Sequence, residues 1–265
     1  MDMSWMMLAG LLVAAVDPVA LEPAGKWRLD AGAQSCLLMR TFGSAPSDVT
    51  LVLHPRPGMP RIDVISLHAA DAAKPNAEQP ATVTVLPSGE HFDGKADTAI
   101  VGDGRARDTA SVPVKIIDTL PAATHLTLSI AGGPSMSYHL GTAASAITAL
   151  KACEDDLLRS WGVDPARFRP MVEPGQPGYV DVLKYMKDDY PAAALHVSGR
   201  TIALLTIAET GKVSACRTVE SAGHPALDAK TCEIGKRIRY PPAQDAGGAP
   251  VNSWTVLPMR WISRG

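Results

Sequence analysis

Apolar residues alternate with polar ones through most of the first half of the chain, from Trp27 to about Ile130. A two-residue period of this kind is typical of strands that bury one face. The alternating positions are Val49, Leu51 and Leu53; Ile62 and Val64; Val83 and Val85; Val112, Val114 and Ile116; and Leu126, Leu128 and Ile130. Turn signals rich in glycine and proline separate these runs. The regular spacing predicts an antiparallel sandwich or a barrel-like sheet.

One amphipathic helix follows the β-rich segment. Its apolar stripe recurs at three- and four-residue steps, through Ala143, Ile147, Leu150, Cys153, Leu157 and Trp161. Gly162 stands where a C-terminal cap belongs. We expect this helix to pack on the sheet and to close a first domain that covers residues 26–163.

Proline and glycine interrupt all periodicity after this helix. Four prolines and two glycines lie between Pro165 and Gly178, and proline cannot donate to a strand ladder. We therefore place a linker at 164–178 and a second domain at 179–265. The predicted fold class is α+β, with an antiparallel β-rich domain closed by one helix and then a small β-β-α-β domain.

The second domain shows its element order clearly. The predicted elements are a short helix at 179–188, strands at 202–208 and 213–220 around the Thr210-Gly211 turn, a helix that begins at Pro225, and a last strand at 254–262. Leu227, Thr231 and Ile234 share one face of the longer helix, and Pro241-Pro242 stops the chain from continuing it.

The first residues have the pattern of a secretory signal. Residues 5–16 form an apolar run that is too short to span a bilayer, which takes about 20 residues, but that fits the core of a signal peptide. Val13 and Ala15 favour cleavage after Ala15, so 1–15 is the predicted signal peptide. Asp2 lies where such peptides carry positive charge, which leaves an uncleaved anchor or a buried N-terminal segment as alternatives. We expect a periplasmic protein, with inner-membrane anchoring as the variant case.

Four cysteines, two in each half of the chain, fit an exported protein. They form no CxxC motif, and no histidine lies at metal-ligand spacing from them. An even count in an oxidising compartment predicts two disulfides, most simply Cys36–Cys153 and Cys216–Cys232. The other two pairings would join one half to the other, and four buried free thiols in a cytosolic protein are the alternative.

Composition and motifs indicate neither a nucleic-acid-binding protein nor an enzyme. The net charge is −2 and charged residues make up 20%, whereas nucleic-acid binding needs clustered Lys and Arg. The sequence contains no GxSxG, HExxH, P-loop or EF-hand pattern, and its seven histidines are scattered. Asp97-Thr98-Ala99 is a weak match to an aspartic-protease loop, and Asp103-Gly104 predicts a type I′ hairpin turn. We therefore predict no catalytic residue, no cofactor and no metal; an enzyme with a site hidden in the β domain is the weakest alternative.

Several short motifs between about Tyr190 and Trp261 occur together. They are Tyr190-Pro191, the Gly211 turn, Glu220-Ser221-Ala222-Gly223, Leu227-Asp228, Tyr240-Pro241-Pro242 and Gly248-Ala249-Pro250-Val251. In this order and spacing they resemble the C-terminal domain of TonB-family energy transducers, across about a quarter of the chain. The N-terminal half resembles uncharacterised exported β domains that precede such modules.

The resemblance implies a periplasmic module that binds the TonB box of outer-membrane receptors and serves energy-dependent transport. In the family the receptor segment adds as a strand beside the last strand, so that backbone hydrogen bonds supply affinity. The implied partner-binding residues are Asp188, Asp189, Tyr190, Thr255, Val256, Leu257, Met259, Arg260 and Trp261. Inner-membrane motor proteins are implied partners if the chain is anchored, and a homodimer through the free edge stays open.

The chain departs from the family in four respects. A cleaved signal would remove the membrane anchor, and a folded β domain with a short linker replaces the long proline-rich spacer. Cys216 and Cys232 are additions, and Pro258 lies inside the last strand, where it removes one outward hydrogen-bond donor. The alternative function is therefore a periplasmic adaptor or structural interaction protein that uses the TonB-like fold without energy transduction.

Overall fold

The computed structural model describes residues 18–57, 59–70, 76–133, 135–165, 190–245 and 247–263. The predicted signal peptide at 1–15, most of the predicted linker and the predicted short helix at 179–188 lie outside these residues. Within the described ranges no helix has both the length and the apolar character that a membrane span requires.

Fifteen strands, three α-helices and two 3-10 helices, at Leu120–Ala122 and Ala192–Ala194, make up the regular structure of the described residues. The strands are β1 (Ala20–Leu21), β2 (Arg28–Ala31), β3 (Cys36–Phe42), β4 (Val49–Pro55), β5 (Arg61–His68), β6 (Asn76–Leu86), β7 (Glu90–Ile100), β8 (Ala106–Pro113), β9 (His125–Ile130), β10 (Ser135–His139), β11 (Gly199–Ile207), β12 (Val213–Glu220), β13 (Ala243–Gln244), β14 (Pro250–Val251) and β15 (Ser253–Trp261). The helices are α1 (Ile116–Thr119), α2 (Ala144–Ser160) and α3 (Pro225–Arg237).

The first ten strands form one sheet in the order β1-β10-β9-β6-β7-β8-β5-β4-β3-β2. Every neighbouring pair is antiparallel except β1 and β10, which are parallel. The predicted α+β class is confirmed. One detail of the prediction is wrong, because Ile116 begins the short helix α1 and does not continue the strand of Val112.

This sheet curls until its two ends meet. Leu21 of β1 pairs with Tyr138 of β10 at one end. Just after β1, the Ala24 N–H donates to the Thr41 carbonyl (2.9 Å) and the Gly43 N–H donates to the Glu22 carbonyl (2.8 Å). Since Thr41 belongs to β3, the N-terminal segment bridges both ends of the sheet and gives it the expected barrel-like form.

The predicted alternation places one residue of every two inside the curled sheet. Along β8 the buried residues are Ala106, Asp108, Ala110 and Val112, and the residues between them are half-buried. Tyr138 and Phe42 meet inside, edge to face, with ring centroids 5.1 Å apart. Burial of this continuous apolar interior is the main stabilising contribution to the first domain.

Helix α2 packs across the sheet as the apolar stripe predicts. Ile147, Leu150 and Leu157 are buried on that stripe, and Gly162 ends the helix with a φ of 70°. A disulfide joins Cys153 of α2 to Cys36 of β3, which confirms the simplest predicted pairing and fastens the helix to the sheet.

The turn between β7 and β8 differs from the predicted type I′ hairpin. The Gly104 N–H donates to the Val101 carbonyl and the Val101 N–H to the Arg105 carbonyl, both at 2.9 Å. Gly104 has a φ of 81°, whereas Asp103 does not adopt a positive φ. The loop therefore has three residues, Gly102 included, because a single left-handed glycine after a type I turn also closes a hairpin.

The C-terminal part has the predicted β-β-α-β order. Its three-stranded antiparallel sheet runs β12-β11-β15, and α3 covers one face. The buried residues between sheet and helix include Ala203, Leu205, Ile207, Leu227, Ile234, Leu257, Met259 and Trp261. The second predicted disulfide, Cys216–Cys232, joins β12 to α3.

The other face of this small sheet lies against the N-terminal domain. Ile202 of β11 and Val256 of β15 are 5% exposed and belong to the same buried cluster as the interior of the large sheet. The Arg217 guanidinium of β12 donates to the Trp161 carbonyl at the end of α2. The small C-terminal sheet and the large N-terminal sheet are thus in direct contact through apolar side chains.

Candidate partner-binding edge

Strand β15 lies at the edge of the C-terminal sheet. On one side it pairs with β11 over nine residues, from Gly199 opposite Trp261 to Ile207 opposite Ser253, without a register shift. On its other side it has no strand partner among the described residues. A strand edge without a described strand partner offers backbone donors and acceptors to another extended segment.

The position of Pro258 shows which backbone groups face that edge. Pairing with β11 continues unbroken through Pro258, and proline has no N–H, so its nitrogen faces the free side. Two positions past Trp261, the Ser263 N–H donates to Ser198 Oγ on the β11 side (2.9 Å). Because strand residues alternate, the N–H groups of Val256 and Arg260 point away from β11, toward the open edge.

The side chains of the implied site residues have other roles. Thr255, Leu257, Met259 and Trp261 are 1–6% exposed and face α3, whereas Val256 is 5% exposed and faces the N-terminal domain. Arg260 alone of this stretch is exposed. The edge therefore offers its backbone to a partner, with Arg260 as the accessible charged side chain.

Tyr190 fixes the chain that enters this domain. Its hydroxyl donates to the Val197 carbonyl, and its ring meets Trp261 edge to face with centroids 5.7 Å apart. The Trp261 Nε1–H in turn donates to Thr231 Oγ1 of α3 (3.1 Å). Tyr190 thus lies near the end of β15, whereas Asp188 and Asp189 are outside the described residues.

Comparison with known families identifies this part of the chain. Residues 187–262 match the family described as Gram-negative bacterial TonB protein C-terminal. This region is a TonB-family C-terminal domain. The match leaves the large N-terminal sheet outside it. No curated protein and no solved structure matches the chain.

The Ser-Ala-Gly motif of the TonB-family domain is held by Asp228. Ser221 Oγ donates to Asp228 Oδ2 (2.5 Å), while the Ala222 N–H and Thr201 Oγ1 donate to Asp228 Oδ1 (both 2.9 Å). Burial raises the pKa of this carboxyl, but the hydrogen bonds from Ser221, Ala222 and Thr201 outweigh it and leave the pKa below its ordinary value. These contacts tie β11 to the start of α3, so the motif is structural.

The Gly211 turn and the Tyr-Pro-Pro motif form a second structural contact of the TonB-family domain. Gly211 has a φ of 74°, and the Tyr240 N–H donates to its carbonyl (3.1 Å). A Cβ at Gly211 would lie 2.1 Å from the Tyr240 carbonyl oxygen. Close backbone approach therefore requires glycine here, and the motif fixes the chain that leaves α3.

Sequence reasoning did not predict that the N-terminal domain covers the second face of the TonB-family domain. One signal was present in β11, where Ile202 and Leu204 are as apolar as the inward-facing Ala203 and Leu205. A strand that is apolar on both faces is typically covered on both. No local sequence pattern shows that the N-terminal sheet is the part that covers this face.

Asp108, His68 and Thr98 form a partly buried polar cluster inside the large sheet, and they are the strongest candidates for catalytic side chains there. Asp108 is 1% exposed; His68 Nε2 donates to one of its oxygens (2.9 Å) and Thr98 Oγ1 to the other (2.6 Å). The hydrogen bond to Asp108 raises the pKa of His68. Burial raises the pKa of Asp108, but the hydrogen bonds from His68 and Thr98 outweigh it and lower the pKa.

His68 is not available as a general base, because both of its ring nitrogens are hydrogen-bonded. His68 Nδ1 faces the Ala69 carbonyl (2.9 Å) while Nε2 faces Asp108, so both ring nitrogens are occupied. Within the described ranges no group of three or more His, Cys, Asp or Glu residues is placed to hold a metal ion. The arrangement satisfies buried polar atoms, and the edge of β15 is the stronger candidate site.

Proposed function

We propose that this chain is an exported envelope protein whose TonB-family C-terminal domain binds an extended segment of an outer-membrane receptor. TonB-family proteins act with receptors in transport at the cell envelope, and the match at residues 187–262 supports that level of function. The open edge of β15 carries the finer proposal, because it offers outward N–H groups at Val256 and Arg260 in extended backbone. The receptor segment adds there as a further strand.

The two disulfides support export to the periplasm. Both Cys36–Cys153 and Cys216–Cys232 are formed, and no free cysteine occurs among the described residues. Disulfides persist in oxidising compartments such as the bacterial periplasm and are rare in the cytosol.

Direct contact between the domains favours a second candidate function. Because Ile202 and Val256 are buried against the N-terminal domain, the TonB-family domain is not displayed at the end of a long spacer. A module held in this way suits an adaptor that positions a receptor segment without transmitting force from the inner membrane.

The edge is tested with Arg260→Pro and its matched control Arg260→Ala. Both variants lose the exposed side chain, but only the proline variant loses the outward N–H. One hydrogen bond contributes about 0.5–1.5 kcal/mol, so Arg260→Pro is expected to weaken binding of a synthetic TonB-box peptide about 2- to 13-fold relative to Arg260→Ala. Fluorescence anisotropy with a labelled peptide measures this.

Two results would contradict the proposal, and one control accompanies them. Equal affinities for the two Arg260 variants, with measurable binding, would show that the peptide does not pair with this edge. A peptide that fails to bind the wild-type protein at all would remove the receptor proposal. Retained melting temperature in both variants is the control that separates lost binding from lost folding.

A further inference from the structure

A groove of about 700 Å³ lies on the outer face of the N-terminal sheet. Strands β3, β4 and β5 form its floor through half-buried or buried apolar side chains, which are Leu37, Met39, Val52, Ile65 and Leu67. Its volume is within the range of small-molecule sites in proteins, which are mostly apolar and carry a few polar groups.

The strand register lines up these side chains across the groove. Met39 of β3 is opposite Val52 of β4, and Val52 is opposite Ile65 of β5. At the β2 end of this row Arg28 is opposite Met39. The row is therefore an apolar strip three strands wide, about 10 Å, with a cation at one side.

A neighbouring row of side chains across β3, β4 and β5 ends at a cation on the β8 side of the groove. Thr41 is opposite Thr50, Thr50 is opposite Leu67, and Leu67 is opposite Arg107 of β8. The apolar floor thus lies between Arg28 on β2 and Arg107 on β8, and both arginines line the groove.

The groove is positive although the whole chain is slightly negative. Its described lining includes Lys26, Arg28, Arg40, Arg105 and Arg107 and no carboxylate, whereas the chain has 27 acidic and 25 basic residues. Like charges close together repel one another, so an anion at this place lowers the free energy.

Two of these arginines are already occupied by the protein. Arg40 donates to the Gly25 carbonyl (2.6 Å) and the Leu140 carbonyl (2.7 Å), and Arg105 is paired with Asp103 (2.7 Å).

Arg107 has no such partner among the residues that the structure describes. Its Nε is buried without a hydrogen-bond partner among the described residues, and an unsatisfied buried donor is costly. Since Arg107 lines the groove, an anionic group at this side can pair with the positive charge of its guanidinium.

We propose that the groove binds a single-chain anionic amphiphile, with the acyl chain over Met39, Val52 and Ile65 and the anionic head at Arg107. The half-buried floor fits one acyl chain in the groove better than it fits a flat bilayer surface. Strands β3, β4 and β5 each have two neighbours in the sheet, so an acidic peptide cannot add to them by strand pairing. The apolar floor of the groove lies on β3, β4 and β5, whereas Arg107 at its head end also lines a pocket beside Pro258 and Arg260 of β15. The proposal does not depend on the proposed receptor binding.

The test uses isothermal titration calorimetry of the whole protein with dodecyl phosphate, dodecyltrimethylammonium and inorganic phosphate, each amphiphile below its micelle concentration. Dodecyl phosphate is expected to bind with one-to-one stoichiometry, and the other two probes at least ten-fold more weakly. Arg107→Gln is expected to weaken dodecyl phosphate binding about ten-fold or more, because a charged hydrogen bond is lost. Arg28→Gln, at an exposed position on β2, is expected to weaken it less.

Arg159→Gln is the matched control, because Arg159 is exposed on α2, away from the groove, and is paired with Asp156. Equal loss in Arg159→Gln and Arg107→Gln would overturn the proposal, and so would equal binding of the cationic amphiphile or of inorganic phosphate alone. Binding to anionic-lipid vesicles or to an acidic peptide without binding of monomeric dodecyl phosphate would assign the face to a membrane or a peptide. A concentration-dependent dimer lost in Arg107→Gln would assign it to a second copy.

Discussion

Removal of each disulfide should destabilise its own domain by a different amount. Cys36 and Cys153 are 117 residues apart, whereas Cys216 and Cys232 are 16 apart. In the loop-closure account, cross-links that close loops of these lengths lower the entropy of the unfolded chain and so raise the free energy of unfolding by about 4.9 and 3.1 kcal/mol at 25 °C. We expect Cys36→Ala with Cys153→Ala to lose more stability than Cys216→Ala with Cys232→Ala, by about 2 kcal/mol.

Packing adds to the difference. Cys36 is fully buried in the interior of the large sheet, while Cys216 and Cys232 are only partly buried against the smaller core. Truncation of a buried sulfur leaves a cavity with lost contacts, so the first pair of substitutions bears the larger packing cost as well.

Urea unfolding gives the free energies, and hydrogen exchange followed by mass spectrometry assigns each loss to the large or the small sheet. The control is wild-type protein treated with alkylating reagent before and after reduction. Equal destabilisation by the two double variants, or thiols that are alkylated without reduction, would refute the reasoning.

Two further predictions concern single residues. Burial and the neighbouring Asp155 raise the pKa of Glu154 from 4.5 to about 8, so the folded state loses stability as pH rises through that range. In urea unfolding, Glu154→Gln should therefore be more stable than wild type at pH 8 and equal to it at pH 4. A stability difference that is independent of pH would contradict this. Gly211→Ala should lower stability by about 2–4 kcal/mol and Gly223→Ala by about 1 kcal/mol. Both glycines have a positive φ, but only at Gly211 would the added Cβ clash with the Tyr240 carbonyl. Equal losses in thermal unfolding would show that this clash is unimportant.

Local sequence patterns determined much of the fold. The two-residue period of runs such as Val49, Leu51 and Leu53 predicted the strands, and the stripe through Ile147 and Leu150 predicted α2. These periods are set by backbone geometry, which decides which side chains share a face.

Sequence also indicated the C-terminal family and the disulfides. The motifs around Gly211, Asp228 and Tyr240 indicated the TonB-family domain by their order and spacing. The structure shows that each of them makes a specific backbone contact. The pairings Cys36–Cys153 and Cys216–Cys232 were the simplest of the three that the sequence left open, because two cysteines lie in each half of the chain.

Tertiary structure alone decided how distant segments meet. Closure of the sheet depends on residues 20–24 bonding to both β10 and β3, and the groove depends on Arg28 and Arg107 lying on opposite sides of the same face. Neither is visible in sequence, because strand order and register are set by the packing of the whole core, whereas periodicity reports only which face of a strand is buried.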